Sequence, residues 1–325
     1  MLRALGDRCA IQNRASLSQA VSQMKLQNIL IYGYGVMGQA VASTFARNGF
    51  HTVVKTRREI PPQFVPPGVT LLRKLPAEPP DLVIEFVPED VGTKRAAYAD
   101  IETNYAGQKV IIATGTSGLD LVQLADGLRQ PELFIGIHYF MPAEKTTIVE
   151  VMAGPAASAT LVDTVAHLLT LTGKEPIRIY QPVVGFIVNR LQHAILHEAY
   201  YLIEQGAIAA LDIDRAAMKL LAPRMCLNGL IQQKDISGLR IHAYAQRSIV
   251  PTLYHNRIPN SIPQRLVNDG ECGLDAGKGF YDWAGFDVHE VREETSQQLE
   301  DLMRYLERIR GRIESKYQPS CRKLP

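Results

Sequence analysis

The chain has 325 residues, of which 46% are hydrophobic and 21% are charged, a balance typical of a globular protein. Its 35 Lys and Arg residues nearly balance 33 Asp and Glu residues, so the sequence lacks the basic footprint of a nucleic-acid-binding protein. No apolar run approaches the length of about 18 residues that a membrane span requires. We therefore expect a cytoplasmic, enzyme-sized protein of two domains, with neither nucleic acid nor a membrane as a partner.

Residues 1–24 are rich in Arg, Ser and Ala and poor in acidic residues. This composition is compatible with a mitochondrial transit peptide, which would place the protein in the matrix. The alternative is a disordered extension, because the sequence from Met24 would itself be a natural beginning. The four cysteines are scattered and form no C-x-x-C pair, so we expect neither a metal site nor a disulfide framework. They are Cys9, Cys226, Cys272 and Cys321.

From residue 25 to residue 181, short β-branched runs alternate with helical stretches. The runs are NILIYG, HTVVKT, VTLLR, DLVIEFV, KVIIAT, LFIGIHY, TIVEVM and PIRIY. Strands separated by helices form βαβ units and a mainly parallel sheet. Residues 182–325 read instead as long helices, because apolar residues recur there at three- and four-residue spacing. The pattern predicts an α/β, doubly wound sheet followed by an all-α C-terminal domain.

A glycine-rich loop, GYGVMG, follows the first predicted strand and opens a helix. In this context G-x-G-x-x-G is the Rossmann fingerprint of a dinucleotide-binding domain. Gly33 permits the tight turn, Gly35 lets the backbone approach the pyrophosphate, and Gly38 lets helix and strand pack closely. The phosphates would lie at the helix N-terminus, where free N–H groups favour anions. We expect the cofactor to contact Gly33, Gly35, Val36, Met37 and Gly38.

The end of the second strand predicts which dinucleotide binds. NAD-binding domains carry an acidic residue there, about 20 residues beyond the glycines, for the ribose 2′-hydroxyl. This sequence has Arg57 at that position and Arg58 beside it. A guanidinium grips a 2′-phosphate, which a carboxylate would repel. The sequence predicts NADP rather than NAD, and the alternative is a solvated basic turn with Glu59 as the specificity residue.

His138 and Glu150 have the residue types that alcohol oxidation requires. A base must take the hydroxyl proton while hydride leaves the carbon, and the histidine pKa near neutrality serves both directions. His138 ends the apolar strand LFIGI and should emerge at the carboxyl edge of the sheet. An antiparallel turn would return Glu150 beside it, where a carboxylate fixes the imidazole tautomer. Taken singly, each residue also has a structural explanation.

Several motifs in order resemble the L-3-hydroxyacyl-CoA dehydrogenase family, from about Lys25 to Trp283. They are PEDVGTK, TGTSG, IGIHYFMP, TIVEVM, VGFIVNR and GLDAGKGFYDW. The resemblance implies a catalytic dyad of His138 and Glu150. It further implies Ser117 and Asn189 as hydrogen-bonding groups for the reacting oxygen, Glu89 and Lys94 beside the cofactor's ribose and nicotinamide, and a homodimer.

Three departures from the family concern the substrate. The interval from Arg58 to Pro80 is short and rich in proline, so it cannot form the helical hairpin that helps the family to hold CoA. The family's NTSS is GTSG here, with Gly115 and Gly118. Its HFFNP is HYFMP, with Met141. Because buried polar partners set specificity for polar substrate groups, we expect a changed substrate.

The sequence therefore predicts an NADP-dependent oxidoreductase that interconverts a 3-hydroxy acid derivative and its 3-oxo form. The substrate would be a small molecule or a thioester. One alternative is a dehydrogenase of a free polar hydroxy acid, as in gulonate and carnitine dehydrogenases. Another is a non-catalytic NADP(H)-binding structural protein or sensor, because a fold does not fix a function.

Overall fold

The computed structural model describes residues 26–314, with side chains to residue 309. These residues belong to two compact units that divide between Leu191 and Gln192. The predicted extension over residues 1–24 lies outside the described residues. In the part of the chain that is described, no helix is both long and apolar enough to cross a membrane.

The described residues of the first unit contain an eight-stranded sheet. Its order is β3-β2-β1-β4-β5-β6-β7-β8, and the neighbouring strands are parallel except for β6 and β7. The order reverses between β1 and β4, and ligands of such sheets bind in the crevice at this switch point. The strands are β1 (Asn28–Tyr32), β2 (His51–Lys55), β3 (Val69–Leu72), β4 (Leu82–Glu85), β5 (Ile111–Thr114), β6 (Phe134–Tyr139), β7 (Ile148–Ala153) and β8 (Glu175–Ile179).

Helices cover both faces of this sheet. Successive strand residues point to opposite faces, so Ile31 packs with Phe45 on one side, and Leu30 packs with Tyr98 on the other. Burial on both faces explains why the central strands read as continuous apolar runs. The helices are α1 (Val36–Arg47), α2 (Val91–Asn104), α3 (Leu121–Ala125) and α4 (Ala159–Thr170), with short 3₁₀ turns at Pro62–Phe64 and Pro131–Leu133.

Local sequence explains where these helices begin. The Asp90 carboxylate accepts a hydrogen bond from Thr93 N at 2.7 Å, and Ser158 caps α4 in the same way. The interval from Arg58 to Pro80 holds only the 3₁₀ turn and β3 as regular structure, as its prolines predict. These residues hold no helical hairpin of the kind that the resemblance described above would place here, and β3 lies at the edge of the sheet.

The described part of the second unit is helical. Helix α5 (Val188–Glu204) begins in the first unit and continues into the second. The predicted fold, a doubly wound sheet followed by an all-α domain, is confirmed. The remaining elements are α6 (Ala210–Ala216), a π-helical turn (Ala217–Leu221), α7 (Ala222–Asn228), α8 (Gln232–Ser237), α9 (Leu239–Ile249), α10 (Ser261–Asn268), α11 (Val288–Glu314) and 3₁₀ turns at Val250–Thr252 and Leu274–Ala276.

Candidate active site

The glycine loop connects β1 to α1 at the switch point. Gly33 has a φ of 114°, and a Cβ there would lie 2.6 Å from the Phe86 carbonyl oxygen. A Cβ on Gly38 would lie 2.1 Å from the Gly33 carbonyl oxygen, so neither position accepts a side chain. Gly35 instead faces open space. Two glycines therefore close the turn, and the third leaves the backbone accessible.

A cleft of about 650 Å³ opens over this loop. No described side chain caps the start of α1, and its first turn holds no acidic residue, so its N–H groups are left for an anionic ligand. All five predicted loop contacts line the cleft. Its walls are formed by Tyr32–Gly38, Lys55–Arg58, Phe86–Pro88, Thr93 and Gly115.

The basic turn after β2 forms one end of the cleft. Arg57 and Arg58 are exposed there, and Nη1 of Arg58 donates to the carbonyl oxygen of Tyr34 at 3.2 Å. Glu59, the alternative specificity residue, pairs with Arg73 at 2.5 Å and is not among the cleft-lining residues. The charge that this turn presents to the cleft is therefore positive.

His138 and Glu150 are directly opposed on the antiparallel strands β6 and β7. The imidazole Nδ1 lies 2.7 Å from Oε2 of Glu150, and both side chains are buried. An ionised carboxylate only accepts hydrogen bonds, so Nδ1 carries the proton and Nε2 is left as the basic nitrogen. The antiparallel return that the sequence predicted is present.

The other oxygen of Glu150 is held by the backbone. Its Oε1 accepts hydrogen bonds from Ile187 N at 2.9 Å and Val188 N at 3.0 Å, where α5 begins. Burial by itself raises the pKa of this carboxyl, but the bonds from His138 and the two N–H groups outweigh burial and lower the pKa below its usual value. Glu150 is thus a buried carboxylate whose charge is stabilised on both oxygens.

Two aromatic rings pack around the imidazole, and the sequence argument missed both. Phe140 and Phe186 have ring centroids 4.5 Å and 5.0 Å from that of His138. Phe186 is fully buried and has a φ of 54°, a left-handed value that is rare for a bulky residue. Gly185 before it also has a left-handed backbone conformation. This backbone turn delivers the N–H groups of the next two residues to Glu150. The Gly-Phe pair was its only sequence signal.

Ser117, Asn189 and Glu89 are joined by hydrogen bonds. Nδ2 of Asn189 donates to the Ser117 carbonyl oxygen at 3.1 Å, and Ser117 N donates to Oε1 of Glu89 at 2.9 Å. The Thr116 hydroxyl donates to the same oxygen at 2.5 Å. Because Asn189 lies one residue beyond Val188, the first turn of α5 links this cluster to the His138–Glu150 pair.

Lys94 is placed differently from Glu89. Its side chain is 1% exposed, and its ammonium lies 2.9 Å from the fully buried Glu85 and 3.4 Å from Glu89. Tyr98 and Thr114 also donate to Glu85, at 2.9 and 3.0 Å. Lys94 is therefore a buried cation that lies between the two carboxylates and does not line the cleft. Glu85 was missed, and its signal was one acidic residue inside the apolar run DLVIEFV.

The described residues contain no cluster of three or more His, Cys, Asp or Glu side chains arranged to hold a metal ion. Cys226 and Cys272 are free thiols on the surface. The polar side chains that the described residues bring together at this edge of the sheet include those of His138, Glu150, Asn189 and Glu89.

Comparison with known proteins identifies the family of the chain. The model of the 3-hydroxyacyl-CoA dehydrogenase NAD-binding domain matches residues 73–182, and that of the C-terminal domain matches residues 185–283. The first match begins after the glycine loop and the basic turn. It therefore does not cover these two features, whose description rests on the sequence and the structure of this chain. The chain belongs to the 3-hydroxyacyl-CoA dehydrogenase family. It is an oxidoreductase that acts on CH–OH groups with a nicotinamide cofactor.

Individual relatives differ in substrate. 5-Formyl-3-hydroxy-2-methylpyridine 4-carboxylate 5-dehydrogenase of Mesorhizobium japonicum is 26% identical over 87% of this chain and 99% of its own length. A crystal structure of that kind of enzyme, described as an NAD⁺-dependent dismutase, covers 87% of this chain and 99% of its own, with TM-score 0.76 and 25% identity. 3-Hydroxyadipyl-CoA dehydrogenase of Escherichia coli is 30% identical over 62% of this chain but only 42% of its own length.

Proposed function

We propose that the chain transfers hydride between NADP and a hydroxy acid derivative or its oxo form, with His138 as acid and base. The main support for this proposal is the 2.7 Å contact between His138 and Glu150. Glu150 is held by the start of the helix that also bears Asn189. In oxidation, Nε2 of His138 takes the hydroxyl proton, and Glu150 stabilises the resulting imidazolium. In reduction, the same nitrogen returns the proton.

The remaining predicted residues orient the reacting group in this proposal. Asn189 and Ser117 offer an amide and a hydroxyl, and the hydrogen bond from the Asn189 amide to the Ser117 carbonyl oxygen restricts the motion of both residues. Glu89 is held by Ser117 N and Lys94, which leaves a fixed carboxylate for a ribose hydroxyl. When bound, the nicotinamide supplies or accepts the hydride.

The residues of the cleft fit a dinucleotide. The accessible Gly35 backbone and the uncapped start of α1 suit a pyrophosphate. Arg57 and Arg58 suit a 2′-phosphate, and Glu59 is engaged by Arg73 instead of facing the cleft. The pyridine-carboxylate relative is NAD⁺ dependent and gives no support for NADP, so the proposal of NADP rests on the basic turn.

We further propose that the substrate is a compact acid that carries no CoA. The interval from Arg58 to Pro80 holds a 3₁₀ turn and a strand where the family places its CoA-contacting hairpin. The relative that matches nearly end to end acts, by its name, on a small pyridine carboxylate. A carrier-bound or CoA thioester is the second candidate, favoured by the CoA-specific relatives.

A homodimer is the proposed assembly. Ile262 is the one buried apolar residue among the described residues of the second unit. A helical unit needs a larger apolar interior than this, so further apolar burial is expected on association. Size-exclusion chromatography with light scattering measures the mass directly. The second unit exposes large apolar side chains that include Leu211, Met218, Leu220, Ile231, Ile236, Ile241 and Tyr244.

The function is tested by a substrate screen with a matched pair of histidine variants. Small oxo acids, pyridine aldehyde carboxylates, CoA esters and carrier thioesters are assayed with NADPH and NADH. We expect turnover of a small acid with NADPH and a loss of about 10²–10⁴-fold in His138→Ala. His167→Ala, which removes an exposed imidazole on α4, should retain activity. Equal activity in both variants would favour a non-catalytic binding role.

A further inference from the structure

Phe86 and Gly115 are fitted to one another. A Cβ on Gly115 would lie 2.3 and 2.4 Å from two atoms of the Phe86 ring and 2.7 Å from the Glu85 carbonyl oxygen. The Phe86 ring thus occupies the space that any side chain at position 115 would need. Gly115 stands where the family's NTSS motif has asparagine, and here the space for that side chain is filled by the Phe86 ring.

The sheet order places this ring between the phosphate anchors and the dyad. Along the carboxyl edge, Arg57 follows β2, the glycine loop follows β1, Phe86 follows β4, Gly115 follows β5, and His138 lies near the end of β6. Neighbouring strands are about 4.8 Å apart, so Phe86 lies roughly 10 Å from each end of this row. A dinucleotide anchored at Arg57 and reacting beside His138 has its nicotinamide half on the His138 side of the loop.

Several contacts fix the position of Phe86. Its backbone N donates to the Tyr32 carbonyl oxygen at 2.8 Å, and its own carbonyl oxygen abuts Gly33. Its ring packs against that of the buried Tyr139, with centroids 6.1 Å apart. Phe86 is partly buried and lines the cleft together with Gly115. The ring is therefore a rigid apolar wall that remains accessible from the cleft.

We propose that the Phe86 ring is the contact surface for the nicotinamide half of the cofactor, and that Gly115 is required because it admits this ring. The inference rests on the proposed hydride-transfer function. A fixed aromatic wall offers dispersion contact to the nicotinamide and keeps water from one side of it. Phe86 is thus a cofactor-positioning residue that acts on the reactive half of the dinucleotide and not on its phosphates.

The test compares whole cofactors with fragments that lack nicotinamide. Isothermal titration calorimetry measures the Kd of NADPH, NADH, 2′-phospho-ADP-ribose and ADP-ribose for the wild type, Phe86→Ala and Phe64→Ala. Phe64 is 61% exposed and does not line the cleft, so it is the matched control. We expect Phe86→Ala to raise the Kd of NADPH and of NADH about ten-fold and to change the Kd of either fragment less than two-fold. Thermal melting confirms that each variant is folded.

Any of three results would overturn the proposal. Phe86→Ala leaves all four affinities unchanged, Phe86→Ala weakens the binding of cofactors and fragments equally, or Phe64→Ala has the same effect as Phe86→Ala. A wrong NADP assignment gives a distinguishable result, because 2′-phospho-ADP-ribose would then bind the wild type no better than ADP-ribose. The effect of Phe86→Ala would in that case be judged from NADH against ADP-ribose. Gly115→Ala adds a second measurement. This substitution should weaken NADPH binding several-fold more when it is made in the wild type than when it is made in the Phe86→Ala variant. Equal losses in the two backgrounds would contradict the proposed coupling.

Discussion

His138 and Glu150 stand directly opposite each other across β6 and β7, so the register of one antiparallel strand pair sets their 2.7 Å contact. The two residues are separated by 12 positions in sequence, and the chain between them makes the turn that returns Glu150. Glu150 is fully buried and is further held by two backbone N–H groups at the start of α5. The orientation of the imidazole therefore depends on backbone structure as much as on the carboxylate.

Glu150→Gln tests this dependence on activity. Glutamine keeps the size of the side chain but removes the charge that stabilises the imidazolium in the proposed mechanism, and its amide can favour the other imidazole tautomer. We expect kcat to fall about 10²–10⁴-fold, with little change in the Kd of NADPH. Steady-state kinetics and calorimetry provide the two measurements. Glu175→Gln, an exposed change on β8, should behave as wild type, and an unaffected kcat in Glu150→Gln would rule out the dyad.

The lowered pKa of Glu150 predicts a pH-dependent contribution to stability. Its folded carboxyl releases the proton at a lower pH than the unfolded carboxyl, whose pKa is about 4.3. The contribution is present above the unfolded pKa and is lost as pH falls through the folded pKa. Between about pH 6 and pH 3.5, the Tm of the wild type should therefore fall more than that of Glu150→Gln. Parallel melting curves across this range would contradict the assignment.

Much of the fold was predictable because its signals are local. Short β-branched runs marked the strands, and GYGVMG after a strand marked the dinucleotide turn. The position of Glu150 beside His138 followed from two adjacent strand patterns and a short turn between them. Asn189 and Ser117 were identified through the family motifs, and the structure joins them by a hydrogen bond.

What the sequence did not predict depends on contacts between distant segments. Lys94 is buried because Glu85 ends the neighbouring strand β4 and accepts bonds from Tyr98 and Thr114, which no local pattern reveals. The left-handed Phe186 fits because Gly136 on β6 has no side chain, and a Cβ there would lie 3.0 Å from its ring. Such pairings arise only once the sheet order is fixed.

Arg57→Asp tests the cofactor preference. In the proposed NADP complex, the substitution replaces a donor for the 2′-phosphate by a group that repels this phosphate and that can accept a hydrogen bond from the ribose 2′-hydroxyl of NAD. We expect the ratio of kcat/KM for NADPH to that for NADH to fall about 10–100-fold. Arg129→Asp makes the same charge change on the surface outside the cleft and should leave the ratio unchanged. A ratio that responds to Glu59→Gln but not to Arg57→Asp would assign specificity to Glu59.

Lys94→Met tests the buried ion pair beneath the cofactor cleft. The ammonium is 1% exposed and the Glu85 carboxylate is fully buried, so removing the cation leaves a buried charge without its partner. Breaking such a pair costs about 3–5 kcal/mol of unfolding free energy, whereas exchanging both members for neutral groups costs less. We expect urea denaturation to show this loss for Lys94→Met and a partial recovery in Glu85→Gln/Lys94→Met. Lys109→Met, at an exposed position, is the control. A loss below about 1 kcal/mol in Lys94→Met would show that the pair contributes little, as exposed ion pairs do.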